Sequence, residues 1–365
     1  MHPLEQSRKE IDRIDAEMAK LFERRMEASR EIAAYKKEHA LPISDPEREA
    51  KVLEAGCSRI SDPLLREYYA AFLRDTMKTS RAYQSRLCEG IRVVYSGETG
   101  AFASAAAQKA FPKVSPFAGG DFAAVYRSVE DGTYDCAVLP LENSYAGEVG
   151  AVMDLIFSGS LYVNRIIELA VEHCLLSVPG ATTDTIKTVV SHPQALEQCA
   201  EFLRRHGMQE IPYSNTALAA GYVAEQKDPT VAAIASRECA DRFGLEILES
   251  SVQTARTNTT RFAVLSRAQQ LPPAGESGSG NYFLLVFSTR NEAGALAQTL
   301  DIIGAHHYNL RSLRSRPMKE LIWSYYFFAE AEGNINTRNG QEMLRELSAL
   351  CDRLKLAGTY KGEER

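Results

Sequence analysis

The first 38 residues constrain the architecture more than any other stretch. Leu4, Ile11, Ile14, Met18, Leu21, Ala28, Ile32 and Tyr35 fall on the a and d positions of one heptad frame, and no Pro or Gly follows Leu4 until Pro42. The spacing predicts one helix over residues 4–38. At 1.5 Å per residue it runs roughly 50 Å, longer than a small domain is wide, so its apolar seam is expected to need a second chain. A homodimer, or a dimer of dimers, is the expected assembly. Arg25 takes an a position in that seam, where a charge is costly unless an anion meets it. Lys36 lies eleven residues on, close to three whole turns, and so shares the face of Arg25. Arg8 borders the seam about 25 Å from Arg25 along the axis, so the two can grip one small molecule only if Arg8 comes from an antiparallel partner.

Two shorter helices are expected next, because Ser44-Asp45-Pro46 and Ser61-Asp62-Pro63 each put Asp at an N-cap and Pro at the first helical position. Capping is the default role of both aspartates. The first of these helices carries Arg48 and Glu49; the second carries Ser80 and Gln84, four residues apart on one face. In order, and in spacing within the long helix, Arg8, Arg25, Lys36, Asp45, Arg48, Glu49, Ser80 and Gln84 resemble the binding residues of the all-helical chorismate mutases. The resemblance implies an all-α domain over residues 1–90 that rearranges chorismate to prephenate, a unimolecular pericyclic step that needs no cofactor and no metal. It further implies that Arg25 and Arg8 of the partner subunit hold the substrate carboxylates, with Arg48 and Ser80 assisting. Lys36 and Gln84 would donate to the ether oxygen, and Glu49 with Asp45 would receive the substrate hydroxyl.

After Gly90 the heptads give way to strands alternating with amphipathic helices. Strands are predicted at 91–95, 134–139, 161–171, 186–190, 231–235 and 261–265, with helices near 101–110, 121–130, 147–157, 193–206, 216–226 and 237–243. The pattern is that of an α/β region of two lobes with a ligand cleft at strand ends. Polar groups gather at such ends: Gly97 to Gly100, Glu142-Asn143-Ser144, Ser191-His192-Pro193-Gln194 with Gln198 one turn later, and Asn258 to Phe262. Ser191-His192 is not a catalytic triad, since no acidic partner is indicated. Together with Glu172-His-Cys-Leu175, these segments resemble prephenate dehydratase across residues 91–267. The resemblance implies loss of carbon dioxide and the ring hydroxyl from prephenate to give phenylpyruvate. Thr260 would donate to the leaving hydroxyl, Asn143, Ser191 and Gln198 would orient it and the ring, and Arg261 would hold a carboxylate beside the Gly97 turn. Ala101 and Ala103 stand where the family usually has hydroxyl residues.

Residues 268–280, rich in Pro, Gly and Ser, read as a linker. Beyond it, residues 281–365 follow a βαββαβ order. With Gly294-Ala295-Leu296 opening its first helix and Ser315-Arg316-Pro317 in its second strand, this α+β segment resembles the ACT regulatory domain of the same enzymes. Those six residues would bind an effector such as phenylalanine. The family has Glu where this chain has Arg314, a reversed charge beside that site.

A net charge of −6 argues against a general nucleic-acid binder. No apolar run reaches about 18 residues, so no membrane span is expected, and no signal peptide is recognised. Seven cysteines without a CxxC pair suggest reduced thiols and no structural zinc. The expected location is the cytoplasm. The rival reading is an amino-acid-responsive binding protein, in which the residue 258–262 cluster only holds a ligand.

Overall fold

The computed structural model describes residues 3–255, 257–275, 279–318 and 324–362, and the chain divides into two compact units, Met1–Arg92 and Val93–Arg365. The first unit is helical: α1 (Pro3–Glu38), α2 (Pro46–Cys57) and α3 (Pro63–Glu89). Both predicted caps form. Asp45 accepts the Arg48 N–H at 3.0 Å and Asp62 accepts the Leu64 N–H at 2.8 Å, each satisfying an orphan donor of a helix end. Arg25, Met26, Ser29, Ala33 and Lys36 make the least exposed stripe of α1, and α3 packs along that helix. The heptad residues Leu4, Ile11, Ile14, Met18, Leu21, Ile32 and Tyr35 remain exposed. Their seam is thus left uncovered by the chain's own described residues.

In the second unit, a first lobe comprises β1 (Val93–Tyr95), α4 (Phe102–Ala110), β2 (Phe117–Ala118), α5 (Phe122–Glu130), β3 (Cys136–Asn143), β4 (Gly147–Glu148), α6 (Gly150–Ser158) and β5 (Tyr162–Ala170). The chain then crosses into a second lobe: β6 (Cys174–Ser177), β7 (Thr188–Ser191), α7 (Pro193–Gln198), α8 (Ala200–His206), β8 (Gln209–Pro212), α9 (Thr216–Gln226), β9 (Val231–Ala235), α10 (Arg237–Phe243) and β10 (Glu246–Glu249). It returns as β11 (Thr259–Ser266), which lies between β3 and β5. The short strands β2, β4, β8 and β10 carry too few residues for an alternating pattern to register. The single helix predicted over 193–206 breaks at Cys199, which ends α7 and begins α8.

The C-terminal segment has the predicted order: β12 (Asn281–Ser288), α11 (Ala295–Ala305), β13 (Asn309–Pro317), β14 (Tyr325–Glu332), α12 (Arg338–Leu350) and β15 (Arg353–Lys361). The sequence predicts the third strand over residues 323–329; Trp323 lies outside the described residues, and β14 is described from Tyr325. The strands do not form a separate sheet. They extend that of the first lobe in the order β13-β14-β12-β15-β5-β11-β3-β1-β2, with β4 on β3. The join is the parallel pairing of Gly358 with Val163, and only glycine fits, since a Cβ at 358 would lie 1.9 Å from the Val163 carbonyl oxygen.

Lys355 of β15 strengthens this join. Its ammonium donates to the carbonyls of Ile156, Gly159 and Leu161 at 2.9, 2.7 and 3.0 Å, closing the end of α6. Burial pushes its pKa down to about 8, but three carbonyl acceptors require the charged form, so we assign the ammonium. Lys355→Met strands those carbonyls and is expected to cost about 2–4 kcal/mol. A lowered midpoint in urea unfolding, with the slope unchanged, checks this.

Candidate active sites

Seven of the eight candidates in the helical unit meet in one cavity of about 360 Å³: Arg25, Lys36, Asp45, Arg48, Glu49, Ser80 and Gln84. Arg25 and Lys36 come from α1, Asp45 from the α2 cap, Arg48 and Glu49 from α2, and Ser80 and Gln84 from α3. The eighth, Arg8, is exposed near the start of α1 and does not line it. The Arg25 guanidinium donates to Ser80 Oγ and, at 3.4 Å, to the Thr76 carbonyl. Both acceptors are neutral, so its charge stays uncompensated there; burial lowers its pKa, yet a guanidinium keeps its proton. Lys36 spends one of its three donors on the Ile43 carbonyl. The Gln84 amide is buried, with Oε1 unpaired among the described residues.

Arg81 also lines this cavity and ion-pairs with Glu49. Sequence reasoning passed it over; its place next to Ser80 and three residues before Gln84 was the available signal. Four cations, Arg25, Lys36, Arg48 and Arg81, face two carboxylates, Asp45 and Glu49, an excess of two positive charges.

A second cavity, about 380 Å³, lies between the lobes of the α/β unit. Asn143, Thr260 and Phe262 line it from the first lobe, Gln198, Asn215 and Thr216 from the second, and Val171 and His173 from the crossing segment. Thr260 and Asn143 are cross-strand partners on β11 and β3. The Asn143 Oδ1 accepts the N–H groups of Tyr145 and Ala146 at 3.0 and 2.9 Å, which fixes the orientation of its amide. Its Nδ2 therefore donates to Thr260 Oγ1 at 2.8 Å and to Asn258 Oδ1 at 2.7 Å. Thr260 accepts that bond, leaving its own O–H free to donate.

The same logic runs deeper. Asn258 Nδ2 donates to Gln198 Oε1 at 3.0 Å, so the 2.9 Å contact from His173 Nε2 to that oxygen is also a donation. His173 is held as the Nε2–H tautomer, and burial, only partly offset by Gln198, lowers its pKa so that the ring is neutral. Its ring meets Phe102 edge-on at 5.5 Å. The helices α4 and α9 start at the cavity, through Phe102 and Ala103 and through Asn215 and Thr216. Ala101, at the cap of α4, makes no side-chain bond to that helix end, so its leading N–H groups are not claimed by a cap. His173 was noted in the sequence only within Glu172-His-Cys-Leu175, with no role, and Asn215 and Thr216 escaped sequence reasoning because they sit in an ordinary helix-start context.

Two candidates are not at this cavity. Arg261 follows Thr260 on a strand, so it points to the opposite face. There it meets Glu142 at 2.6 Å and Glu330 at 2.9 Å, and donates to Tyr360 Oη at 2.7 Å. Burial opposes its charge, but Glu330, Tyr360 and Glu142 raise its pKa overall. Its position does not suit a carboxylate holder, and among the described residues no Arg or Lys lines the cavity. Ser191 is fully buried and donates to the Ile234 carbonyl at 2.6 Å; it supports the floor of the second lobe and does not line the cavity.

The effector candidates fall in two groups. Gly294 caps α11 in a left-handed conformation (φ +85°), where a side chain would strain the backbone, and Ala295 and Leu296 follow in the helix. Ser315, Arg316 and Pro317 end β13. Pro317 lines a cavity of about 140 Å³ with Asp154, Tyr326 and Arg353, which the first group does not reach. Arg316 is held by Asp154 at 3.3 Å and Tyr326 at 3.1 Å.

Residues 7–85 match the family model for chorismate mutase type II, and residues 93–270 match that for prephenate dehydratase. The bifunctional chorismate mutase/prephenate dehydratase of Neisseria gonorrhoeae is 33% identical, over 97% of this chain and 95% of that protein. The chain belongs to the bifunctional chorismate mutase/prephenate dehydratase family. Both activities are therefore its own, each in the unit that matches its model, and they serve phenylalanine biosynthesis. Among solved structures, a prephenate dehydratase from Arthrobacter aurescens in complex with L-Phe is 26% identical with a TM-score of 0.68, covering 74% of this chain and 90% of that one. A protein described as a novel type of quorum quenching acylase is 30% identical with a TM-score of 0.68, covering 74% of this chain and 98% of that one. No helix among the described residues is long and apolar enough to cross a membrane.

Proposed function

We propose that chorismate rearranges in the helical cavity and that prephenate loses carbon dioxide and water in the cavity between the lobes. The first assignment rests on the excess of two positive charges among the residues of the helical cavity, which matches a dianionic substrate. Arg25 and Arg48, with Ser80, hold the carboxylates of the compact conformer. Lys36 and Gln84 donate to the ether oxygen as its bond breaks and negative charge grows there. Glu49, pinned by Arg81, takes the substrate hydroxyl with Asp45. The exposed seam of α1 fits a second copy of the chain, which would bring Arg8 to the site.

Gln84 donates without carrying a titratable proton. The mutase rate is therefore expected to vary little between about pH 5 and pH 8, whereas Gln84→Glu should lose activity as pH rises, because its carboxyl donates only while protonated. A pH profile of both proteins with chorismate checks this.

In the second cavity the free O–H of Thr260 points to a leaving hydroxyl. The bond from ring carbon to hydroxyl breaks with its electron pair going to oxygen, the carboxylate's carbon–carbon electrons enter the ring as carbon dioxide departs, and the leaving hydroxide, held by the Thr260 O–H, takes up a proton drawn from solvent to leave as water. Asn143 and Gln198 keep Thr260 oriented. The substrate carboxylates fall to the N–H groups at the starts of α4 and α9. Acyl transfer finds less support: Thr260 bonds to an amide, Ser191 to a carbonyl and His173 to Gln198, so none of these forms a nucleophile–base pair.

The C-terminal segment is, on this reading, an ACT domain that takes phenylalanine through Gly294, Ala295, Leu296, Ser315, Arg316 and Pro317; the related structure with L-Phe supports that ligand. The domain limits at 1–90, 91–267 and 281–365 and a cytoplasmic location belong to the same reading. Incubation of the purified protein with chorismate should release phenylpyruvate, seen by its absorbance in alkali. A protein that binds phenylalanine but forms no product above background would instead be a sensor.

A further inference from the structure

The faces of β3 and β11 turned away from the dehydratase cavity are not simply structural filler. Glu142 and Arg261, each adjacent in sequence to a cavity residue, Asn143 and Thr260, meet there as cross-strand partners at 2.6 Å. A β-bulge follows at once, between Arg261 and Phe262, and bulges re-aim side chains beside active sites. The rest of the assembly comes from the C-terminal strands. Glu330 of β14 grips Arg261 with both oxygens, at 2.9 and 3.0 Å, and Tyr360 of β15 bridges the two. Arg314 of β13 pairs with the second oxygen of Glu142, and with Glu148 at 3.1 Å. The Glu330 side chain is only 2% exposed, so salt screens the pair little.

From this geometry we propose that Glu330 and Arg314, both in the C-terminal segment, are positioning residues for dehydration, acting through Arg261 and Glu142 on the placement of Thr260 and Asn143. The physical ground is that both cavity groups stand on strand ends whose opposite faces are fixed by charge. Among the described residues, the carboxylate partners of Arg261 are Glu142 and Glu330 at hydrogen-bond distance and Glu168 at 3.9 Å. Removing the bidentate partner leaves a buried guanidinium that must seek others. Burial works against the Glu330 carboxylate, but Arg261, Tyr360 and Arg311 lower its pKa overall, so the clamp is charged at neutral pH and loosens only as pH falls through the acid side of the carboxylate range. A shift of Thr260 by about 1 Å is enough to cost ~10²-fold in rate. Arg314 is on this view committed to Glu142.

This inference rests on the assignment of Thr260 and Asn143 to dehydration, and the experiment separates the two. Full-length Glu330→Gln, Arg314→Ala, Arg314→Lys and Thr260→Ala proteins are assayed with prephenate well below their melting temperatures. Glu330→Gln and Arg314→Ala are expected to lower kcat about tenfold to a hundredfold with KM little changed, and Arg314→Lys to recover most of the loss. Mutase turnover by the same proteins should stay at the wild-type rate. An unchanged kcat in both variants, or a loss confined to melting temperature, overturns the positioning role while leaving Thr260 in place. A kcat for Thr260→Ala that stays within about tenfold of wild type overturns the underlying assignment instead.

Discussion

Thr260→Ala is expected to lower the kcat of dehydration about 10²–10³-fold while leaving the rearrangement of chorismate untouched. The hydroxyl accepts from Asn143 at 2.8 Å, and that amide is oriented by two backbone N–H groups, so the Thr260 proton is directed away from it. Removing one preorganised donor aimed at developing negative charge costs about 10²–10³ in kcat. Thr260→Ser keeps the oxygen and the acceptor for Asn143, and should retain most of the activity. A second consequence distinguishes a lost donor from a collapsed site. In Thr260→Ala the Asn143 amide still has Asn258 as acceptor, so prephenate should bind with similar affinity, visible as inhibition by unreacted substrate analogues. Loss of binding together with turnover would mean a damaged cavity and would count against the donor role.

Arg25→Ala should do the reverse, removing mutase activity and sparing dehydration. The side chain lies in a cavity whose cations outnumber its carboxylates by two, and among the described residues it donates to neutral groups, Ser80 Oγ and the Thr76 carbonyl, so a bound dianion would lose an unspent charge partner. Truncating one side of a desolvated, hydrogen-bonded charge pair costs about 2–5 kcal/mol, which is about 30-fold to 5,000-fold in kcat/KM. Arg25→Lys keeps the charge but not the planar fork, and is expected to fall between. Steady-state rates with chorismate and with prephenate on the same preparation test both halves. A parallel fall in the two activities would indicate a folding defect.

Much of the helical site was legible because a long helix converts spacing directly into geometry. Arg25 and Lys36 had to share a face, and Asp45 had to sit at a helix start. Arg81 was missed because a cation next to Ser80 on a charged helix looks like any solvated residue; its pairing with Glu49 is a contact between α2 and α3. The dehydratase site was only half legible. Thr260 and Asn143 were singled out, yet Arg261, from the same short run, was assigned to the wrong face. Alternation along a strand forbids Thr260 and Arg261 from sharing a cavity, but which of them faces it depends on the register with β3, and a bulge interrupts that register.

What the amino-acid order determined was local: the helix over the first residues, the Asp45 and Asp62 caps of the two helices after it, the change from period 3.6 to alternating strands and helices, and the βαββαβ order at the end. These follow from side-chain periodicity and backbone preference within a few turns of chain. Tertiary structure alone decided that β15 would close on β5 and fuse the C-terminal strands to the dehydratase sheet, and that Arg261 would be spent on Glu330 some 69 residues away. Edge pairing runs through main-chain groups, a single Gly358 does not announce the strand it will meet, and opposite charges meet wherever the fold carries them, so neither outcome can be read from one stretch of sequence.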